Sequence, residues 1–456
     1  MSRMLIKNGT VLSLEPDSTP QRADVMIDGD RIAAIGPGLE AREGDRVIEA
    51  GNMIVMPGLV NAHIHTWQTG LRGLATDWTG TNYFRAMHAG LANFFTPDDI
   101  RIANKLGAIN QINNGVTKMV DWHHNNPTPE HSDAAIDGLE DSGIRAVFLH
   151  GSAKPDPKPG QKHFSEVPMS RDEVARLRGG RLSSDDALVT MGLAILGPQM
   201  SVEEVTLADL RLAKEHDLVV SLHHSMAKMS APEGYAKAAA AGLIDRRLNV
   251  VHGNELTDRD LDILVDQGAT FTVTAEIEMQ ICYGDLLSGR LHARGVPFSI
   301  GTDIESAYAP DMLACARTTL QAERHSTSMR MKAESGERPH PIPLRVREAL
   351  EWATIEGARA MRLDHRVGTL TPGKQADIIL IRANDLNLSG AFDPYNAVLG
   401  FAHPGNVDTV IVAGQIRKQG GQLLREGISA MQEELAESGQ RIFRDFLARA
   451  ATAEYA

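Results

Sequence analysis

Apolar and polar positions change rhythm three times along this chain. Near the start, residues 4–14 and 23–35 are β-like runs, broken at Asn8-Gly9 and at the hairpin signal Asp28-Gly29, with no helical stretch between them. From about Gly58 to Arg362, short β-rich runs alternate with helical stretches, the pattern of βα units around a parallel sheet. Eight strands are expected, at 59–65, 115–122, 144–151, 188–197, 218–224, 248–253, 270–275 and 297–303. Helix openings fall between them: Thr96-Pro97-Asp98-Asp99 starts a helix reaching Asn114, and Thr257-Asp258 starts one reaching Gln267 before Gly268. Eight such units predict a (β/α)8 TIM barrel.

After Met361 strands return, at 376–382 behind the turn Pro372-Gly373 and at 407–413 before Gly414. Their texture matches that of the first 57 residues. The predicted fold is therefore α/β: a barrel over residues 58–365, with a small composite β-sandwich domain built from both chain ends, residues 1–57 and 366–426. In the tail, residues 427–456, Ile428, Met431, Leu435, Ile442, Phe446 and Leu447 recur at roughly helical spacing and predict a docked helix. Residues 152–186, polar and rich in Pro, Lys and Arg, follow the third barrel strand on the side where active sites lie. They read as a surface insertion ahead of a lid.

Composition narrows the function. The chain has 456 residues, 42% of them hydrophobic and 23% charged, enough for a core larger than one ordinary domain. Its net charge of −13 is spread without a Lys/Arg block, which argues against nucleic acid and anionic membrane as partners. The first residues lack an apolar leader and no run of about 18 apolar residues occurs, so a cytoplasmic protein is expected. Cys282 and Cys315 lack metal-like spacing and read as packed thiols, in keeping with a reducing compartment. The 17 histidines are more telling.

Asn61-Ala62-His63-Ile64-His65 ends the first barrel strand, and period-two alternation points Asn61, His63 and His65 to one face. Two inward imidazoles at a strand's C-terminal end are expected to bind metal. The same alternation turns His223 inward rather than His224, unless a bulge reverses it, and leaves Asp303 inward at the end of strand eight. A buried carboxylate there needs a cation or a proton. Together His63, His65, His223 and Asp303 would give one divalent metal ion a nitrogen-rich site with room for a water. His252, ending strand six, is open to three roles: fifth ligand, core histidine, or a group that orients the water or polarises the substrate. The last is preferred, with Asp303 as the carboxylate that takes the water's proton. His123, His124 and His150 read as pocket wall or structural residues. Trp67, Gln68, Arg72, Trp78 and Tyr83, on the loop after the HxH pair, are placed to meet a flat substrate.

Val55-Met56-Pro57-Gly58-Leu59-Val60-Asn61-Ala62-His63-Ile64-His65, Gly115-Val116-Thr117, His223, His252, Gly301-Thr302-Asp303 and the stretch from Gly368 to Asp377 together resemble the amidohydrolase superfamily. The resemblance is to its cytosine-deaminase-like and chlorohydrolase-like mononuclear branch and covers nearly the whole chain. It implies one Zn2+ (or Fe2+) held by His63, His65, His223 and Asp303, with Asp303 doubling as general base and His252 near the reacting oxygen. It implies hydrolytic removal of an amine, less often chloride, from an aromatic or purine-like ring, so the partner is a small heterocyclic substrate, and the protein a homodimer or larger homo-oligomer. Strand four ends Ile195-Leu196-Gly197-Pro198 without a lysine, which disfavours the two-metal branch. One departure stands out: many deaminases of the branch carry a glutamate three residues beyond the strand-five ligand, and Met226 is there instead, or Ala227 counting from His224. Glu255 or Glu276 is then expected to shuttle protons, Glu276 also bordering the substrate, with Glu278 at the surface. The alternatives are the same metal used for dechlorination, amide hydrolysis or a lyase step, or a catalytically retired scaffold, against which the complete ligand set argues.

Overall fold

The computed structural model describes residues 3–453 apart from Asp156, Ala227 and Cys282, so the expectations for the Cys282 thiol and for Ala227 lie outside the described residues. Eight parallel strands follow one another in sequence order: Leu59–Ile64, Val116–His123, Arg145–Gly151, Val189–Ile195, Val219–His224, Leu248–His252, Thr270–Val273 and Ser299–Ile300. Alternation sorts their side chains. Val120, Trp122, Val147, Leu149, Ala194 and Val219 pack inside the barrel with Ala360 and Met361, whereas Met119, Ala146, Phe148, Leu193, Val220 and Leu222 join the core under the helices.

The last strand is far shorter than the expected 297–303, and its end closes the barrel by a different device. Asp303 adopts a left-handed backbone, φ 62°. In that conformation its N–H donates to the His63 carbonyl at 3.0 Å and its carbonyl accepts from His65 N–H at 2.7 Å. Asn61 adds a side-chain stitch, donating to Thr302 Oγ1 at 2.7 Å and accepting from Thr302 N–H at 3.2 Å. The approach requires Gly301, since a Cβ there would sit 2.6 Å from the His63 carbonyl oxygen.

Both chain ends share one nine-stranded mixed sheet, which holds Arg3–Val11, Gln21–Asp28, Arg31–Gly36, Arg46–Glu49 and Met53–Pro57 from the first and Ile378–Arg382, Val407–Val412, Gln415–Gln419 and Gln422–Leu423 from the second. Met53–Pro57 pairs antiparallel with Ile378–Arg382, joining the two ends. Its faces split by parity: Val55, Ile378, Leu380 and Ile411 enter the sheet's own core, and Ile54, Met56, Ile379, Ile381, Val410 and Val412 face the barrel's.

The helix Ile428–Ala453 docks Met431 and Leu435 against Ile102, Ala103 and Leu106 of the helix Pro97–Asn113. Ser438 and Arg441 both reach Asp99. Leu447, expected on the buried stripe, is 50% exposed, because the helix outruns the surface it lies on. Among the described residues no helix is long and apolar enough to cross a membrane.

Candidate metal centre

At the C-terminal end of the strands, His63, His65 and His223 bring one ring nitrogen each within 4.8 Å of one another. His223 Nε2 lies 3.2 Å from His63 Nε2, and one carboxylate oxygen of Asp303 lies 3.2 Å from His63 Nε2 and 3.4 Å from His65 Nε2. His224 turns the other way, to the Tyr235 hydroxyl at 3.0 Å. The His65 Nδ1–H donates to the Trp122 carbonyl at 2.7 Å, which leaves the Nε2 lone pair for the centre. Burial, reinforced among the histidines by mutual repulsion, holds His65 and His223 well below the usual imidazole range; burial lowers His63 too, against the pull of Asp303. Neutral imidazoles with lone pairs converging on an ionised carboxylate are the donor set a divalent cation requires, so the residues fit the ion. Burial would raise the Asp303 carboxyl, but the hydrogen bond from His63 and the nearby imidazoles hold it well below its ordinary value.

His252 stacks on His223 with ring centres 5.4 Å apart. Its backbone is left-handed, φ 68°, a strained conformation of the kind kept at functional sites. Its Nδ1 faces Glu278 Oε1 at 3.2 Å and Thr274 Oγ1 at 3.0 Å, which directs Nε2 to the opposite side of the ring. Burial lowers His252, but the Glu278 hydrogen bond and the charges of Asp303 and Glu278 outweigh it and keep it above the ordinary imidazole value. Glu278 is completely buried, receiving Thr274 N–H at 2.7 Å and the Asn254 amide at 3.1 Å. It is not the surface residue expected: strand seven stops at Val273, and the helix Ala275–Gln280 folds Glu278 back beneath Thr274.

Above the centre lies a narrow cavity that opens to solvent at its mouth. His65, His88, His124, His223, His252 and Asp303 share its wall with Trp78, Tyr83, Tyr283, Ile277, Ile304 and Lys154. A larger hollow opens around Arg246, Phe271, Phe298 and Arg362, away from every one of these groups.

Five sequence expectations fall outside the cavity, the first being Arg72, which pairs with Glu305 at 2.9 Å. The chain coils into a short helix, Thr66–Leu71, directly after His65, which buries Trp67 against Phe95 and His124. Gln68 donates to the Tyr83 hydroxyl at 2.6 Å and accepts from Ser306 at 2.7 Å, so it positions a wall residue without being one. Glu255 is exposed, and half-buried Glu276 borders Asp311, which with burial raises it to about 7. Met226 is 41% exposed, its carbonyl bound by Gln199, and does not line the cavity. Trp78, Tyr83 and His124 do line it; His123 and His150 do not. Cys315 is a buried thiol, pushed well above its ordinary value by burial. Lys154, Tyr283 and His88 were not singled out from the sequence; for Lys154 the one signal was that residues 152–186 follow strand three on the side where active sites lie.

The chain is 26% identical over 428 residues to a 5-methylthioadenosine/S-adenosylhomocysteine deaminase of Symbiobacterium thermophilum, covering 91% of this chain and 93% of that one. A solved adenosine deaminase from Xanthomonas campestris with bound zinc superposes with a TM-score of 0.79 at 22% identity, over 97% of this chain and 99% of that one. Atrazine chlorohydrolase from Arthrobacter aurescens, complexed with zinc, gives 0.80 at 19%, over 96% and 100%. These likenesses establish the shared fold. The sequence pattern of the amidohydrolase family itself matches residues 54–417, barrel and flanking sheet alike, and the chain belongs to that family.

Proposed function

We propose that this protein is a zinc-dependent hydrolase that removes an amino group from a small nitrogen-containing ring. The observation that carries the reading is the convergence of His63, His65 and His223 on the Asp303 carboxylate beneath a cavity. When bound, the ion acidifies a water and polarises the carbon under attack. The chain does the rest. Asp303, kept ionised, accepts the water's proton and returns it to the amine nitrogen as the C–N bond breaks, so that the group leaves as ammonia. His252, kept protonatable by Glu278, faces the charge that develops at the reacting carbon and orients the attacking oxygen. Trp78, Tyr83 and Tyr283 offer flat surfaces to a ring. From the family kinship we also infer a cytoplasmic homo-oligomer, whose mass light scattering would give.

The deaminase relatives are named for adenosine derivatives, so the test is ammonia release by zinc-loaded protein from adenosine, 5′-deoxyadenosine, methylthioadenosine, aminopyrimidines, aminopterins and aminotriazines. Release from none of them defeats the reading. The absence of a strand-five glutamate favours a second chemistry, dechlorination, in which the leaving group needs no proton; chloride release from a chlorotriazine without ammonia would select it.

A further inference from the structure

The segment behind strand three sends one charged side chain into the cavity. Lys154 is 7% exposed, with its ammonium 5.3 Å from the centre of the Trp122 ring, and that ring lies 4.3 Å from His223 and 5.5 Å from His65. Lysine stems ordinarily carry their charge out to water. Here the charge turns inward, over an aromatic face and against the wall of the site. Among the described residues, Lys154 has no hydrogen bond and no ion pair, and burial with nothing to offset it lowers the amine to about 8. Among the described residues, the only carboxylate on the cavity wall is Asp303, which the imidazoles already engage. Turning an ammonium away from bulk water without an anion is unfavourable, and no described residue of the cavity wall supplies the counter-ion, which leaves that place to a substrate.

We infer that Lys154 is a specificity-determining residue that receives a carboxylate carried by the substrate ring. The inference rests on the reading of this cavity as the hydrolase site and names the class of its substrate: an aminated heterocycle with an acidic substituent. Binding pairs the buried charge and removes its desolvation penalty, so the acid is favoured over its neutral counterpart.

Two matched pairs of probes test this on the zinc-loaded full chain by calorimetry: 6-aminonicotinate against 6-aminonicotinamide, and adenosine-5′-carboxylate against adenosine. The expected result is at least one pair in which the acid binds tenfold or more tightly than the neutral member. Lys154→Met should abolish that preference with zinc content unchanged and the melting temperature of the unliganded protein no lower, and Lys154→Arg should keep most of the preference. Equal or unmeasurable binding of both members in both pairs overturns the inference. So does a preference that survives Lys154→Met, since the carboxylate is then held by the metal. Binding is read apart from turnover, so a lysine-dependent preference without ammonia release would sink the proposed reaction and leave this inference standing.

Discussion

His252 is held for chemistry by a residue that does not itself reach the cavity. Glu278 sets its tautomer and supplies the charge that keeps it protonatable, while Thr274 and Asn254 fix Glu278 in turn. Glu278→Gln keeps the shape and removes the charge. We expect kcat to fall about 10–100-fold with zinc content unchanged, and the limb of the kcat–pH profile that reports His252 to move to lower pH; an unshifted profile would mean that Glu278 only packs. Gly301 works through geometry. A methyl group added there meets the His63 backbone, so Gly301→Ala should push strand eight off strand one and reduce the zinc bound per chain, measured by metal analysis. Retention of a full zinc complement would show that the closure tolerates the shift. At this scale the sequence was legible wherever a residue stayed in a regular strand: alternation separates His223 from His224 and aims His63 and His65 correctly. It failed where the chain left the strand. Trp67 and Gln68 lie in a short helix, and Glu278 in another, so a period of two no longer says which way they face.

Elements were read more securely than their ends. Seven of the eight barrel strands begin within one residue of their expected start, because buried parallel strands are continuous apolar runs bounded by turns and caps. Strand eight starts two residues late and ends three early, because its ladder breaks after Ile300 and resumes only as a single parallel bridge between Asp303 and Ile64. The segment 152–186 is both insertion and wall. Its helix Arg171–Gly179 packs Val174 and Leu177 into the core, Arg176 pairs with Asp133 at 3.0 Å, and among its described residues Lys154 alone reaches the cavity. A single buried carboxylate pins this segment: Asp209, on the helix Glu203–Glu215, accepts Met169 N–H at 2.9 Å. Burial raises Asp209 from 3.8 to about 7, only partly offset by that hydrogen bond. Below about pH 4 folded and unfolded chains are both protonated there. As pH rises to 7 the unfolded chain releases a proton that the fold retains, so stability declines through this window, by on the order of 2–4 kcal/mol in full. Asp209→Asn keeps the acceptor and removes the titration. Its stability relative to the parent should grow between pH 5 and 8 in denaturant melts, and a constant difference would show that Asp209 titrates normally.

The barrel and the composite sheet are joined by a buried ion pair. Arg145, at the start of barrel strand three, donates to both oxygens of Asp377, at 2.8 and 3.1 Å, and the carboxylate also receives Ala413 N–H at 2.8 Å. Asp377 precedes the strand Ile378–Arg382, so one side chain links the barrel to both halves of the sheet's C-terminal hairpin. It also balances a cluster of cations. Lys118 is fully buried with no hydrogen-bond partner for its amine, which burial, Arg145 and Arg366 together hold well below the usual lysine range. Removing the anion therefore leaves the buried Arg145 guanidinium without its counter-charge. Asp377→Asn should cost about 3–5 kcal/mol, seen as an earlier chemical-denaturation midpoint. Arg145→Met combined with Asp377→Leu should cost less than that single change, because the remaining apolar pair needs no counter-charge and only the Ala413 N–H loses its acceptor. If the double variant is instead the weaker protein, the pair holds the two layers together by attraction beyond mutual neutralisation, and the barrel's register against the sheet depends on it.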